Sequence, residues 1–199
     1  KLNKPGGWSA HYVNVSGSKS GMKIQNEVAS NIVGYWSETK TLGLNMPCRL
    51  SHYSRQQFLK VEDGNPYIQA ISNSYKRLHP ELYHQQMDQA MLQPDMLVGD
   101  TPFSTITINR NFRTAVHKDA GDYGFGNLSV LEYGHYHGGY FILPKYRIAI
   151  DMRHGDHLCV DVHEYHANTA LYETEEDKLL NDELPDIYND NLSVGVLGL

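Results

Sequence analysis

The sequence predicts an α+β fold, mainly β: a small sandwich or barrel buttressed by helices that precede it. Three observations carry this. Two stretches in the first half repeat apolar side chains at helical spacing. From Thr101 the period drops to two, in short runs cut by Gly, Pro and Asp. A length of 199 residues, 40% hydrophobic and 20% charged, suits one globular domain with a substantial core.

Residues 1–21 are rich in Gly and Ser, with one strand-like patch, Tyr12 to Val15. The first helix is expected to start where Asn65 can cap and Pro66 can take the first helical position. Tyr67, Ile68, Ile71, Tyr75 and Leu78 then recur on one face. Pro80 opens a second helix through Leu82, Tyr83, Met87, Ala90 and Met91, ending before Pro94. Both read as packing helices covering a sheet. Residues 1–100 are therefore a helical support region, and 101–199 the β core of the same single domain.

The predicted strands are Phe103–Asn109, Asn111–Lys118, Asn127–Tyr133, Gly139–Leu143, Tyr146–Asp151 and His157–His163, with Leu192–Leu199 as a candidate last strand. Residues 173–190 hold eight acids against one base, Lys178, and read as a solvated acidic loop. Without that segment the net charge of −6 becomes +1, so charge neither demands nor excludes a nucleic-acid partner. No internal repeat is present.

Cys48 and Cys159 show no paired spacing and read as two reduced thiols. With no apolar run of membrane-spanning length and no signal peptide, the chain is expected to be intracellular, away from membranes, and monomeric. That means a bacterial or phage-infected cytoplasm, or a eukaryotic nucleus. The chain opens on Lys1 rather than Met, as a trimmed sequence would. Fourteen Tyr against five Phe and two Trp suit polar cavities and binding faces, although half-buried strand positions account for most tyrosines.

The chemistry concentrates in His117-Lys118-Asp119 and, 49 residues on, His166. Alternation on a strand puts Arg113, Ala115, His117 and Asp119 on one face. Two imidazoles and a carboxylate make a facial 2-His-1-carboxylate set, which holds Fe(II) on one side and leaves positions open for a co-substrate and O2. The same set does not by itself select iron over zinc or manganese. Arg113 is a candidate to grip a carboxylate or phosphate near the metal with its planar fork, or else a structural partner of a nearby acid. Gly138-Gly139 opens a strand, Gly155-Asp156 makes a tight turn, and a strand then leads into His163-Glu164-Tyr165-His166. This order returns two strand ends beside each other, as in a double-stranded β-helix of jelly-roll or cupin type. His163 rivals His166 as third ligand, but on a regular strand it would face the other way. His135, His137, His154 and His157 read as turn or surface histidines.

The run from Thr101 to Asp122, TPFSTITINRNFRTAVHKDAGD, resembles the core of the TET and J-binding-protein family. Gly124-Phe125-Gly126-Asn127-Leu128, Gly138-Gly139, Arg153-His154-Gly155-Asp156 and Tyr165-His166-Ala167-Asn168-Thr169 extend the likeness. Fainter echoes lie in Cys48-Arg49-Leu50 and Tyr75-Lys76-Arg77-Leu78-His79-Pro80. The resemblance spans 48–170 and is specific over 101–170. It implies an Fe(II)- and 2-oxoglutarate-dependent dioxygenase that uses O2 to hydroxylate the methyl group of 5-methylcytosine or thymine in DNA. It implies His117, Asp119 and His166 as iron ligands, and Asp122 as a residue touching the flipped base. Locally, Asp122 reads equally well as an Asx-turn residue beside Gly121.

One departure stands out. The family places an Arg on the last strand, after the distal His, to bind the far carboxylate of 2-oxoglutarate; no Arg follows His166. Either the sequence stops before that strand, which is the expectation, or Arg113 substitutes, or the co-substrate site is absent. The rival readings are a prolyl or other protein hydroxylase on the same fold, a non-catalytic binding module that retains the metal, and a zinc or manganese cupin-like protein.

Overall fold

A computed structural model describes residues 29–41, 43–110, 113–119, 121–132, 134–184 and 195–198. The patch Tyr12–Val15 lies outside them. The chain begins its described course with strand β1 (Ala29–Trp36), the hairpin β2 (Thr39–Thr41) and β3 (Leu44–Met46), and β4 (Arg49–Leu50). Helices α1 (His52–Gln56), α2 (Phe58–Leu78) and α3 (Pro80–Ala90) follow. The β-rich half holds β5 (Thr105–Arg110), β6 (Phe125–Val130), β7 (His137–Gly138), β8 (Phe141–Leu143), β9 (Ile148–Ile150), β10 (His157–Asp161), β11 (Ala167–Asn168) and β12 (Leu171–Tyr172). Helix α4 (Glu175–Asp182) and β13 (Gly195–Gly198) end it.

Six strands form one antiparallel sheet in the order β10-β6-β13-β5-β1-β4; β11-β8-β9 form a second sheet, and β12 pairs with β7. Helix α2 packs against β6 and β10. The core fills the space between helices and large sheet: Val33, Ile68, Ile71, Tyr75, Tyr83, Val98, Phe103 and Ile106. Tyr75 and Tyr83 meet edge to face, with ring centroids 5.6 Å apart. The Tyr67 and Ser129 hydroxyls, 2.6 Å apart, tie α2 to β6. Among the described residues no helix is long and apolar enough to cross a membrane, and both cysteines are free.

Four expectations need correction. First, α2 starts at Phe58, so Pro66 lies inside the helix and Asn65 does not cap it. Val61 explains this: it packs against the core one heptad before Ile68, and burying that longer stripe outweighs the proline's lost bond. Second, the N-terminal half is not only helical support, because β1 pairs with β5 through six residue pairs. Asn31 and Gly34 break the apolar alternation there and hid the strand. Gly34 has φ of +89°, and a Cβ on it would lie 2.2 Å from the Ser104 carbonyl oxygen, so only glycine allows this approach.

Third, the acidic segment contains α4. Thr174 and Asp177 form a reciprocal capping box, and Glu175, Glu176 and Asp177 occupy the first turn, where the helix dipole favours negative charge. The number of charges suits a solvated loop, but their positions suit a helix N-terminus. Residues 185–194 lie outside the described part. Fourth, several strands are shorter than expected. Phe103 stays in the core as part of a turn in which the Thr101 hydroxyl accepts the Phe103 N–H at 3.2 Å, and Pro144–Tyr146 is a single 3-10 turn between β8 and β9.

Ile106 is fully buried at the centre of the core. Ile106→Ala should destabilise the fold by about 2–5 kcal/mol, read as a lowered urea midpoint at unchanged slope.

Candidate metal centre

His117 and Asp119 lie on the extended segment 113–119, and His166 just before β11. The segment was expected to be part of a strand, Asn111–Lys118. Residues 111 and 112 are outside the described part, and in the rest only Thr114 and His117 are bridge residues, His117 opposite His166. In that bridge the His117 N–H donates to the His166 carbonyl and the His166 N–H to the His117 carbonyl, both at 3.0 Å. A directly opposed antiparallel pair sends both side chains to the same face.

The pairing fails to propagate for a reason tied to the site. From a His117–His166 pair, the next hydrogen-bonded pairs would be Ala115 with Asn168 and Asp119 with Glu164. The Ala115 carbonyl instead accepts from Nδ1 of His117 at 2.7 Å, and the Glu164 carbonyl from Nδ1 of His166 at 2.9 Å. The Asp119 N–H turns to the Val162 carbonyl at 3.0 Å, beyond a turn closed by Glu164 N–H to Asp161 O. The ladder gives up two acceptors, and the rings gain fixed orientations.

With each Nδ1 proton engaged, a neutral ring turns its Nε2 lone pair inward to a metal, and a protonated one turns an N–H to Asp119. Asp119 Oδ1 lies 3.4 Å from Nε2 of His117, and Oδ2 lies 3.4 Å from Nε2 of His166. One ligand atom from each residue falls within 4.8 Å of the other two. His166 is buried, its Nε2 has no hydrogen-bond partner among the described residues, and Phe141 stacks on its ring at 5.6 Å between centroids. An orphaned imidazole nitrogen beside a second imidazole and a carboxylate is what a divalent cation would satisfy. Burial opposes charge on Asp119, but the two imidazoles outweigh it and hold the carboxyl well below its usual range. For His117, burial pulls downward while Asp119 and the Ala115 carbonyl pull upward, and the net shift is upward.

His163 does not join the cluster. It sits exposed in the turn, with Nε2 3.1 Å from the Asp122 carbonyl and Nδ1 3.3 Å from an Asp161 carboxylate oxygen. It is separated from His166 by that turn, not by strand alternation. His157, expected on the surface, is half-buried in β10 with Nε2 3.0 Å from Asn127 Oδ1, because its side chain faces the helices. His137 pairs with Asp177 at 3.2 Å, and the Asn181 amide bridges both backbone groups of His135, fastening α4 to this loop. The His154 ring accepts the Glu132 N–H at 3.3 Å. Arg113 is half-buried at the start of the ligand segment.

Asp122 is half-buried close to Asp119, and its Oδ2 is buried without a hydrogen-bond partner among the described residues. Burial first, and the Asp119 charge second, push its carboxyl up to about 7. The sequence offered no sign of the two backbone carbonyls that orient the rings, since any residue carries one. Phe141 was equally hidden, because its ring reaches His166 only through the pairing of β8 with β11.

Fold and site together define a protein of mixed helix and sheet with a facial set of two histidines and a carboxylate. A model of the Tet_JBP family, the oxygenase domain of the 2OGFeDO superfamily, matches residues 31–192. The chain belongs to that family, and membership implies Fe(II) and 2-oxoglutarate. The bifunctional helicase and thymine dioxygenase JBP2 of Leishmania infantum is 33% identical over 148 residues, 73% of this chain and 13% of that protein. Thymine dioxygenase JBP1 of Trypanosoma brucei brucei is 33% identical over 144 residues, 71% of this chain and 17% of that protein. The chain therefore spans a small share of these relatives. The solved structure of NgTET1 in complex with 5mC DNA shares the fold, with a TM-score of 0.55 and 16% identity over 72% of this chain and 56% of that one.

The raised Asp122 carboxyl has a consequence for stability. Its folded value of about 7 exceeds 3.8, so the native metal-free protein keeps a proton that the unfolded chain releases. Stability from this group should be full below pH 4 and fall as pH rises through about 7. Asp122→Asn should flatten that slope, measured as urea midpoints of the metal-free protein from acid to pH 8.

Proposed function

We propose that this chain is an Fe(II)- and 2-oxoglutarate-dependent dioxygenase that hydroxylates the methyl group of a pyrimidine in DNA. The observation that carries the reading is the inward set of His117 Nε2, His166 Nε2 and Asp119, with the buried His166 nitrogen lacking a hydrogen bond among the described residues, in a member of the Tet_JBP family. These three side chains would hold the iron. Fe(II) bound there would supply O2 activation, coupled to oxidative decarboxylation of 2-oxoglutarate to succinate and CO2. The large sheet and the β11-β8-β9 sheet are, in this reading, the two sheets of a double-stranded β-helix, within one domain that acts as a monomer.

The chain's own groups have separable tasks. The Ala115 and Glu164 carbonyls fix the imidazoles, and Phe141 keeps water from the His166 side. Arg113, a planar cation just ahead of the ligands, is the candidate grip for a carboxylate of 2-oxoglutarate. Asp122 Oδ2 would meet the Watson–Crick edge of a flipped base, where cytosine and thymine both offer an N–H donor. Tyr123 beside it and Tyr165 beside His166 are exposed and available for stacking. Thymine is the first substrate to test, because the sequence relatives are named thymine dioxygenases.

Incubation with Fe(II), 2-oxoglutarate and duplex DNA carrying thymine or 5-methylcytosine should give the hydroxymethyl nucleoside by mass spectrometry. His166→Ala should give none. Succinate release with a peptide, and no modified nucleoside from any DNA, would transfer the reaction to a protein hydroxylase. Retained DNA affinity without turnover of 2-oxoglutarate would make the chain a binding module.

A further inference from the structure

We infer that Asn168 is a positioning residue, whose side chain clasps Thr114 and so holds the segment bearing His117 and Asp119 in place against His166. The inference rests on those three side chains being the metal ligands.

The segment 113–119 carries two of three ligands, and among the described residues it forms no extended strand. Its backbone meets the His166 strand through the His117–His166 pair and the Asp119–Val162 bond. On the Ala115 side, the natural next bond would run from the Asn168 N–H to the Ala115 carbonyl. That carbonyl is engaged by Nδ1 of His117. The Asn168 N–H is redirected to the Thr114 hydroxyl oxygen, at 3.2 Å. In return Asn168 Oδ1 accepts two bonds from Thr114, from the backbone N–H at 2.6 Å and from the hydroxyl at 2.8 Å. Two side chains thus replace a ladder bond that orienting the ligand ring removed.

The clasp has a firm and a loose end. Asn168 belongs to β11 and pairs with Phe141, while Ala167 pairs with Ile142. The next residue, Thr169, exchanges bonds with Tyr140: its N–H donates to the Tyr140 carbonyl at 3.0 Å, and its hydroxyl accepts the Tyr140 N–H at 2.9 Å. Beyond it the Ala170 carbonyl accepts the Gly139 N–H, at a place where a Cβ on Gly138 would lie 2.0 Å from that oxygen. The His166–Ala170 stretch is therefore stitched into the β8 side. Thr114 lies three residues before His117 and is a single bridge residue, outside any strand among the described residues. Asn168 passes the position of the His166–Ala170 stretch to the segment that begins at Thr114, and the distance from Asp119 to His166 Nε2 depends on it.

The test reads metal binding apart from turnover, using Co(II) as an oxygen-stable probe and its visible absorption as the signal. Thr114→Val keeps shape but removes the hydroxyl; Asn168→Leu removes the acceptor; Thr114→Ser retains the hydroxyl. Thr114→Val and Asn168→Leu should each weaken Co(II) about 10–100-fold and alter the band pattern. Thr114→Ser should bind as the unaltered protein does. The double variant should lose little beyond the worse single, as expected of one shared interaction. Urea midpoints of the metal-free proteins separate positioning from folding, and the affinity loss should persist among variants of matched stability. Unchanged Co(II) affinity in Thr114→Val and Asn168→Leu would overturn the inference, as would losses that add independently or merely track stability. His166→Ala is the control for the metal site: if it binds Co(II) normally, the ligand assignment fails, whatever Asn168 does.

Discussion

The candidate metal centre depends on one mutual backbone pair, His117 with His166. It brings residues 49 positions apart in the sequence to the same face, and among the described residues it does so without an extended strand on the His117 side. A continuous ladder would have occupied the carbonyls of Ala115 and Glu164, and the imidazoles would have lacked acceptors for Nδ1. An isolated pair leaves those carbonyls to the rings. Regular structure is sacrificed where the chemistry needs oriented nitrogens, and the cost falls on short segments whose neighbours are well tied. The six-stranded sheet and α2 sit behind with an apolar core that can bear the local loss.

The sequence was most legible where a single period governs a residue's surroundings. Pro80 opens α3 at its first position as expected, because proline's fixed φ and absent N–H suit that place regardless of tertiary context. Pro66 was misleading for the complementary reason. The burial of Val61 lies outside the local signal, and it drew the helix back past the proline. β1 was illegible because its alternation is interrupted by a buried Asn31 and by a glycine needed for close approach to Ser104. Such a strand is defined by its partner β5, which a local reading does not contain.

The site divides in the same way. The ligand types and the His117/Asp119 spacing were legible, since carboxylate and imidazole chemistry belongs to the residues themselves. His166 over His163 was reached through family likeness and an alternation argument, yet the structure separates them by the turn that Glu164 N–H closes on Asp161. His166 lies in the cluster and His163 outside it, and the turn rather than strand alternation parts them. Thr114 and Asn168 lay in plain view within quoted motifs. Their tie was invisible, because it exists only once His117 has taken the Ala115 carbonyl.

Asp119 and Asp122 show how one short loop prepares two carboxyl groups for unlike tasks. Both are partly buried, so desolvation pushes both upward. Asp119 has two imidazoles against its oxygens, which more than reverse the push and keep it ionised. Asp122 has the Asp119 charge as a neighbour, and the histidines near it, His163 and His166, compensate only in part. Burial first, and the anion that suits a cation ligand second, raise this carboxyl to about 7. A group poised there can accept a hydrogen bond as carboxylate or donate one as acid, which suits a pyrimidine edge whose donors and acceptors alternate. A divalent ion on Asp119 would cancel much of that neighbouring charge and ease Asp122 toward its ionised form. In the proposed function, loading the metal would therefore bias the residue offered to the base toward its anion, against a burial that still favours the proton.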